Sequence, residues 1–157
     1  MTRFLPVADR ALFLRYALPC AGTLVGRGRV SQGEVDRLVA AVGAGEAPEG
    51  AEDLFVVARA ACSLRAIDQG KQAVDAAVIR CYFREGHDAV IARRSAEMGD
   101  FDPEACRVRV GTVEAVREQV ARVRIDGRVR EMRTDLFPQA RPGMRVVTHW
   151  DFVVEDA

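Results

Sequence analysis

The sequence lacks the features typical of proteins that bind nucleic acid, of membrane proteins and of secreted proteins. Its 23 basic and 23 acidic side chains give a net charge of zero, so no basic excess favours nucleic acid or an acidic membrane. No apolar run reaches the roughly 18 residues of a membrane-spanning helix. Residues 1–11 lack a basic segment followed by a long apolar core, so we expect no secretory signal and a cytoplasmic protein.

Sequence motifs of the common enzyme classes are also missing. The glycine-rich stretch 22–28 lacks the GK[ST] ending of a phosphate-binding loop, and neither GxSxG nor HExxH occurs. We therefore expect a protein that is not an enzyme. None of the cysteines forms a CxxC pair, and a chain of this length can build a core without disulfides, so reduced thiols are expected. Cys62 and Cys81 lie in apolar helical patterns and are predicted to be small core residues.

Apolar residues recur at helical spacing through about the first 100 residues and predict four or five helices. Pro19 should end the first helix, and residues 22–29 should form a loop. Ser31 with Glu34 is a capping-box signal for the next helix. Gly86 should separate a fourth helix from a fifth, which we expect to run from His87 to Met98. The predicted apolar face of the third helix consists of Leu54, Val57, Ala58, Ala61 and Leu64.

Beyond the Asp102-Pro103 dipeptide the spacing becomes that of β-strands. Apolar residues alternate with arginines over 121–125, and Asp126-Gly127 then predicts a hairpin with a type I′ turn. Several short strands within about 50 residues favour a small closed or partly closed barrel. We therefore predict an α+β protein: an α-helical domain over residues 1–102, followed by a small OB-like antiparallel β-barrel over residues 103–157.

The stretch from Cys106 to Val154 resembles the HypC/HupF family of hydrogenase assembly chaperones. The opening CRVRVGTV of 106–113 stands where the family has a cysteine, a short apolar stretch, glycine and valine. The hairpin over 121–132, the proline loop over 136–140 and the strand from Gly143 to His149 follow the family's order. More faintly, Arg15-Tyr16-Ala17-Leu18-Pro19 resembles the opening of an uncharacterised bacterial family, which implies no activity.

The resemblance implies a function in metal-centre assembly. In the family the opening cysteine and the late histidine, here Cys106 and His149, face a scaffold protein implicated in building an iron centre with cyanide and carbonyl ligands. The chaperone then escorts the iron unit to the hydrogenase large subunit. The implied partners are this maturation scaffold protein and the large-subunit precursor, with iron held transiently and no tightly bound cofactor. Thiolate and imidazole are both suitable ligands for iron.

The same comparison places the residues of the expected site. Metal transfer requires an exposed Cys106 at the edge of the barrel, and Arg107 and Arg109 are candidates to lower the pKa of its thiol. Arg107 is also a candidate to contact the partner. In an alternating strand Trp150 points away from His149, so it either fills the barrel or anchors a partner. The family ends in a helix that packs on the barrel, and we expect the N-terminal helices to cover the barrel here.

Other interpretations stay open beside this one. His87 fits a helix cap or turn better than a ligand, and Cys20 fits a structural role better than a functional one. The barrel could be an interaction module that has lost the metal chemistry, which a buried or helix-capped Cys106 would favour. An RNA-binding barrel is weaker, because acidic residues balance the arginine-rich hairpin and few aromatic residues offer stacking surfaces. That hairpin contains Arg122, Arg124, Arg128, Arg130 and Arg133.

Overall fold

Helices precede strands along the chain in the computed structural model, which describes residues 4–95 and 102–157. The α-helices of these residues are α1 (Arg10–Ala17), α2 (Ala21–Gly26), α3 (Gln32–Gly43), α4 (Val56–Asp68), α5 (Ala76–Cys81) and α6 (His87–Ser95). The strands are β1 (Val108–Arg117), β2 (Val120–Ile125), β3 (Arg128–Arg133), β4 (Arg145–His149) and β5 (Phe152–Asp156). Short 3₁₀ turns occupy Leu18–Cys20 and Ala51–Leu54, and a π-helical turn occupies Tyr82–Gly86. No helix in the described part combines the length and apolar character that crossing a membrane requires.

Side-chain caps define where several helices begin. The Ser31 hydroxyl accepts a hydrogen bond of 3.1 Å from the backbone N–H of Glu34, which confirms the predicted start of α3. Asp9 and Asp75 cap α1 and α5 in the same way. Each cap satisfies a backbone donor that has no partner within its helix.

Some helix boundaries differ from those that the sequence predicts. Part of the predicted loop over 22–29 is helical, because α2 continues to Gly26. Gly86 does not break the helix, since the π-helical turn leads directly into α6. A Cβ atom at Gly86 would lie 2.1 Å from Nη2 of Arg65, so this glycine permits a close side-chain approach. The described part of the fifth predicted helix ends at Ser95, and its expected end at Met98 lies outside the described residues.

Burial along α4 and α5 corrects two further expectations. Leu64 is 63% exposed and does not belong to the core, because α4 turns the face that carries Cys62 and Ala66 inward. Cys62 is fully buried as predicted, and burial raises the pKa of its thiol to about 12. Cys81 is only half-buried and lies at the end of α5.

The strands form a closed barrel in the order β1-β2-β3-β5-β4. The β2–β3 hairpin turns through Asp126 and Gly127 with φ values of 51° and 77°, as the predicted type I′ turn requires. In β2 Arg122 and Arg124 are exposed while Ala121, Val123 and Ile125 are buried, so the strand alternates as expected over 121–125. The pairing of β3 with β5 is parallel, whereas the other pairings of the barrel are antiparallel.

The helices cover one side of the barrel. One hydrophobic cluster joins buried residues of the helices to barrel residues, among them Leu136, Val147, Phe152 and Val154. A second cluster fills the barrel itself and includes Val113, Val123, Ile125 and Met132. The predicted boundary after residue 102 falls between the last described helix and β1, but the two parts share a core.

A buried ionic cluster also joins the two parts. The carboxylate of Glu155 on β5 lies 3.0 Å from Nη2 of both Arg80 and Arg84, and it accepts a hydrogen bond from the Tyr16 hydroxyl. The Glu155 side chain is only 3% exposed. Burial alone would raise the pKa of Glu155, but the hydrogen bonds from Arg80 and Tyr16 and the two positive charges outweigh it and hold the pKa below its usual range.

We expect the Glu155→Gln variant to lose about 1–3 kcal/mol of the free energy of unfolding at neutral pH, because it leaves two guanidinium groups without their shared anion. The folded-state pKa of Glu155 is depressed. Its contribution is therefore fully present above the unfolded pKa of about 4.3 and is lost as the pH falls through the folded value. Urea denaturation should thus show the difference between wild type and variant shrinking below about pH 4.

Glu114→Gln is the matched control. Glu114 pairs with Arg124 on the barrel surface, where the side chains are 38% and 50% exposed. An exposed pair of this kind contributes less than about 1 kcal/mol. Equal losses in the two variants would contradict the special contribution of Glu155.

Candidate metal centre

Four metal-ligating side chains meet where the helices contact the barrel. They are Cys20, His87, Cys106 and His149, and their ligand atoms all lie within 4.8 Å of one another. The two histidines are the only ones in the sequence. Cys20 is half-buried and the other three are buried. The helical part supplies the first two residues, and the other two come from the barrel and the segment that enters it.

Strand register brings the barrel pair together. Val108 at the start of β1 pairs with His149 at the end of β4. Cys106 lies two residues before Val108, so antiparallel pairing places it beside His149. The Cys106 Sγ and His149 Nε2 atoms are 3.3 Å apart.

Local helix geometry positions the other pair. Cys20 ends the 3₁₀ turn that follows α1, and its carbonyl accepts a hydrogen bond of 2.9 Å from the Thr23 hydroxyl. His87 is the first residue of α6, directly after the π-helical turn. A π-helical turn adds a residue to the helix and rotates the side chains that follow it, and such turns are frequent at functional sites.

The distances between the donor atoms scatter around the edges of a tetrahedron centred on one ion. Bonds of about 2.3 Å to sulfur and 2.0–2.1 Å to nitrogen give edges of roughly 3.3–3.8 Å. The Cys20 Sγ atom lies 3.2 Å from Cys106 Sγ, 3.1 Å from His149 Nε2 and 4.0 Å from His87 Nε2. Cys106 Sγ lies 3.7 Å from His87 Nε2. These four donors could therefore bind a metal ion.

Hydrogen bonds to the second ring nitrogens orient both imidazoles. His149 Nδ1 donates to the Tyr16 carbonyl at 2.6 Å. His87 Nδ1 donates to the Asp88 carboxylate at 3.0 Å. A neutral imidazole that carries its proton on Nδ1 has its lone pair on Nε2. Once Nε2 has given up the proton that it donates to Cys106, both lone pairs face the cluster, and second-nitrogen partners of this kind are typical of metal-binding histidines.

Aromatic packing restrains the same rings. Phe83, within the π-helical turn, stacks on Tyr16 with ring centroids 5.0 Å apart. Its ring also lies 5.7 Å from the His87 ring and 6.1 Å from the His149 ring. The two imidazoles thus share one apolar neighbour, which limits their movement.

The two thiols have opposite pKa shifts. Hydrogen bonding from Cys20, followed by His149 and His87, outweighs burial and holds the pKa of Cys106 well below its usual range. The pKa of Cys20 is raised, first by its hydrogen bond to Cys106 and then by burial, although a hydrogen bond from Trp150 acts the other way. One thiolate is therefore available in the buried pair to receive a cation.

The structure brings together the predicted pair Cys106 and His149, but it does not expose Cys106 to solvent as expected. Cys106 is 1% exposed, so the expectation of an exposed thiol is wrong. It is buried because the helical part places Cys20 and His87 against it. Arg107 does not provide the main effect on the thiol, since its guanidinium pairs with Asp88 and Glu104.

Trp150 does not lie in an alternating strand, although the sequence predicts that it does. The strand β4 ends at His149, and Trp150 lies half-buried in the following turn with φ of 53°. Strand alternation therefore does not set its direction. Its indole lies close enough to Cys20 to lower the pKa of that thiol, beside the candidate centre.

Sequence reasoning missed Cys20 and His87 as ligands. The structure makes both residues ligand candidates, because it places them beside Cys106 and His149. No short-range spacing links the four residues, because Cys20 and His87 are 67 positions apart and Cys106 and His149 are 43 apart. The one available signal is that both histidines of the chain belong to the cluster.

Comparison with known proteins does not assign the chain to a family. A scan against models of protein families finds no match, and no curated protein matches the sequence. The candidate centre therefore stands on its geometry.

We expect Asp88→Asn to weaken metal binding by about 10–100-fold, because the carboxylate that holds the His87 tautomer is lost. Competition with a chromophoric chelator measures this affinity. Glu104→Gln is the matched control, since Glu104 is an exposed acid that also pairs with Arg107. An unchanged affinity in the Asp88 variant would show that this hydrogen bond does not support the site.

Proposed function

We propose that the protein is a non-catalytic metal-binding protein whose Cys20, His87, Cys106 and His149 hold one divalent transition-metal ion. The observation that carries the proposal is the clustering of four suitable donors, whose ligand atoms all lie within 4.8 Å of one another. Two thiolates and two imidazoles suit Zn²⁺ best among common metals, and Fe²⁺ is the second choice. When bound, the ion supplies cross-linking between distant parts of the chain.

The positions of the ligands in the chain favour an ion that stays bound over one that is held transiently. The helical part and the barrel part each supply two ligands. An ion there joins the same two parts that the Glu155 cluster and the shared core already join. Four protein ligands also fill a tetrahedral shell, which is typical of structural sites, whereas catalytic zinc sites keep one position open.

The protein purified without added metal or chelator should contain about one equivalent of metal by mass spectrometry, since four preorganised donors bind tightly. The Cys20→Ser/Cys106→Ser variant should lose most of this metal. Cobalt added to the metal-free wild type should give the thiolate charge-transfer absorption of a tetrahedral Cys₂His₂ site.

The Cys81→Ser variant is the control, because Cys81 is a half-buried cysteine away from the cluster. It should retain the metal and the cobalt spectrum. Equal metal content in the wild type and the double variant would overturn the proposal. Circular dichroism of both variants separates loss of ligands from loss of fold.

A second candidate function is iron handling in hydrogenase maturation, as in the HypC/HupF chaperones. The observation that favours it is that Cys106 and His149, the residues matched by the resemblance, lie 3.3 Å apart at the centre. Because Cys106 and His149 are buried, iron can be delivered only after Cys20 and His87 move away and let a partner reach it. The proposed partners are the maturation scaffold protein and the large-subunit precursor.

Anaerobic affinity purification from the native host tests this second function. Wild type should retain maturation proteins or a hydrogenase subunit together with iron, and Cys106→Ala should lose them because the shared ligand is gone. The same partners without iron in both samples would indicate a protein-interaction module. Absence of hydrogenase-related partners from both would reject the maturation role while leaving the resident metal ion untouched.

A further inference from the structure

A cavity of about 270 Å³ adjoins the metal centre and is open to solvent. Three of the four candidate ligands, Cys20, His87 and Cys106, form part of its lining, whereas His149 does not. The cavity thus reaches the centre beside Cys20, His87 and Cys106.

Most of the remaining wall is apolar. Side chains of α2, α4 and α6 line it, including Leu24, Val57 and Ile91. These residues are only half-buried, and Val56 is 51% exposed. A bound apolar group would therefore remove further apolar surface from water, which is the main driving force for occupying such a site.

Positive charge at the cavity favours a ligand that carries an anionic group. Arg27, Arg29 and Arg94 also line the cavity, and all three are exposed. In the described residues no carboxylate forms an ion pair with any of them, whereas Arg80, Arg84 and Arg107 are paired. Arginine binds a carboxylate through two parallel hydrogen bonds, so this arrangement suits an anionic head at the entrance.

We propose that this cavity binds a small monocarboxylate with an apolar body, such as a medium-chain fatty acid. The apolar body would lie along α4 and reach the thiol of Cys20, and the carboxylate would bind the arginines at the entrance. The volume of about 270 Å³ lies just below the usual range for ligand pockets, about 300–1,000 Å³, which limits the occupant to a small molecule. Binding to the apolar wall and the arginines does not depend on which metal is bound.

Isothermal titration calorimetry of the purified protein with octanoate tests the proposal. Octanoate should bind with a dissociation constant below about 1 mM, and 1-octanol should bind about tenfold more weakly because it lacks the charge. The Arg27→Gln/Arg29→Gln variant should weaken octanoate binding about tenfold and leave octanol binding unchanged. Ala58→Phe should weaken both ligands, because it fills a wall of the cavity.

Arg37→Gln is the matched control, since Arg37 is an exposed arginine of α3 outside the cavity. It should bind octanoate as the wild type does. The proposal is overturned if octanoate does not bind, if octanol binds equally well, or if the Arg27/Arg29 variant binds octanoate unchanged. Metal content measured in the same samples shows separately whether the metal centre is intact.

Discussion

The convergence of two thiols and two imidazoles between the helices and the barrel is the constraint on which the rest of the structure depends. Cys20 and Cys106 Sγ atoms 3.2 Å apart, with both histidines beside them, form a polar group inside the buried contact between the helices and the barrel. Such a group is costly to bury unless its members satisfy one another or share a cation. A metal ion would satisfy all four at once.

Tyr16 connects this centre to the second polar contact between the two parts. Its carbonyl accepts the Nδ1 proton of His149, while its hydroxyl donates to the Glu155 carboxylate. Arg84 donates to the same hydroxyl at 2.9 Å. A shift of α1 would therefore disturb the imidazole orientation and the ionic cluster together, so the two contacts are coupled through one residue.

Local features of the fold follow from the sequence, whereas the centre does not. The Ser31 cap and the Asp126-Gly127 turn depend on residues close in the chain, so pattern reasoning predicts them. The pairing of Cys106 with His149 follows from a resemblance over the barrel. Cys20 and His87 reach the centre only because a π-helical turn and the packing of α1 on β5 place them there. These are tertiary effects, and single residues without a spacing motif carry no signal of them. The burial of Cys106 was missed for the same reason.

The burial of Cys106 and His149 also bears on whether a bound ion would stay in the protein or be delivered to a partner. To expose Cys106 and His149 to a partner, the helical part must move away from the barrel, because Cys20 and His87 belong to it. That movement would break the Glu155 ion pairs and expose the cluster that contains Val147, Phe152 and Val154. Delivery therefore requires a partner whose binding compensates for these losses, since a ligand shifts an equilibrium only by its differential affinity for the two states. Without such a partner the closed, four-ligand state is favoured, and a bound ion would act as part of the fold.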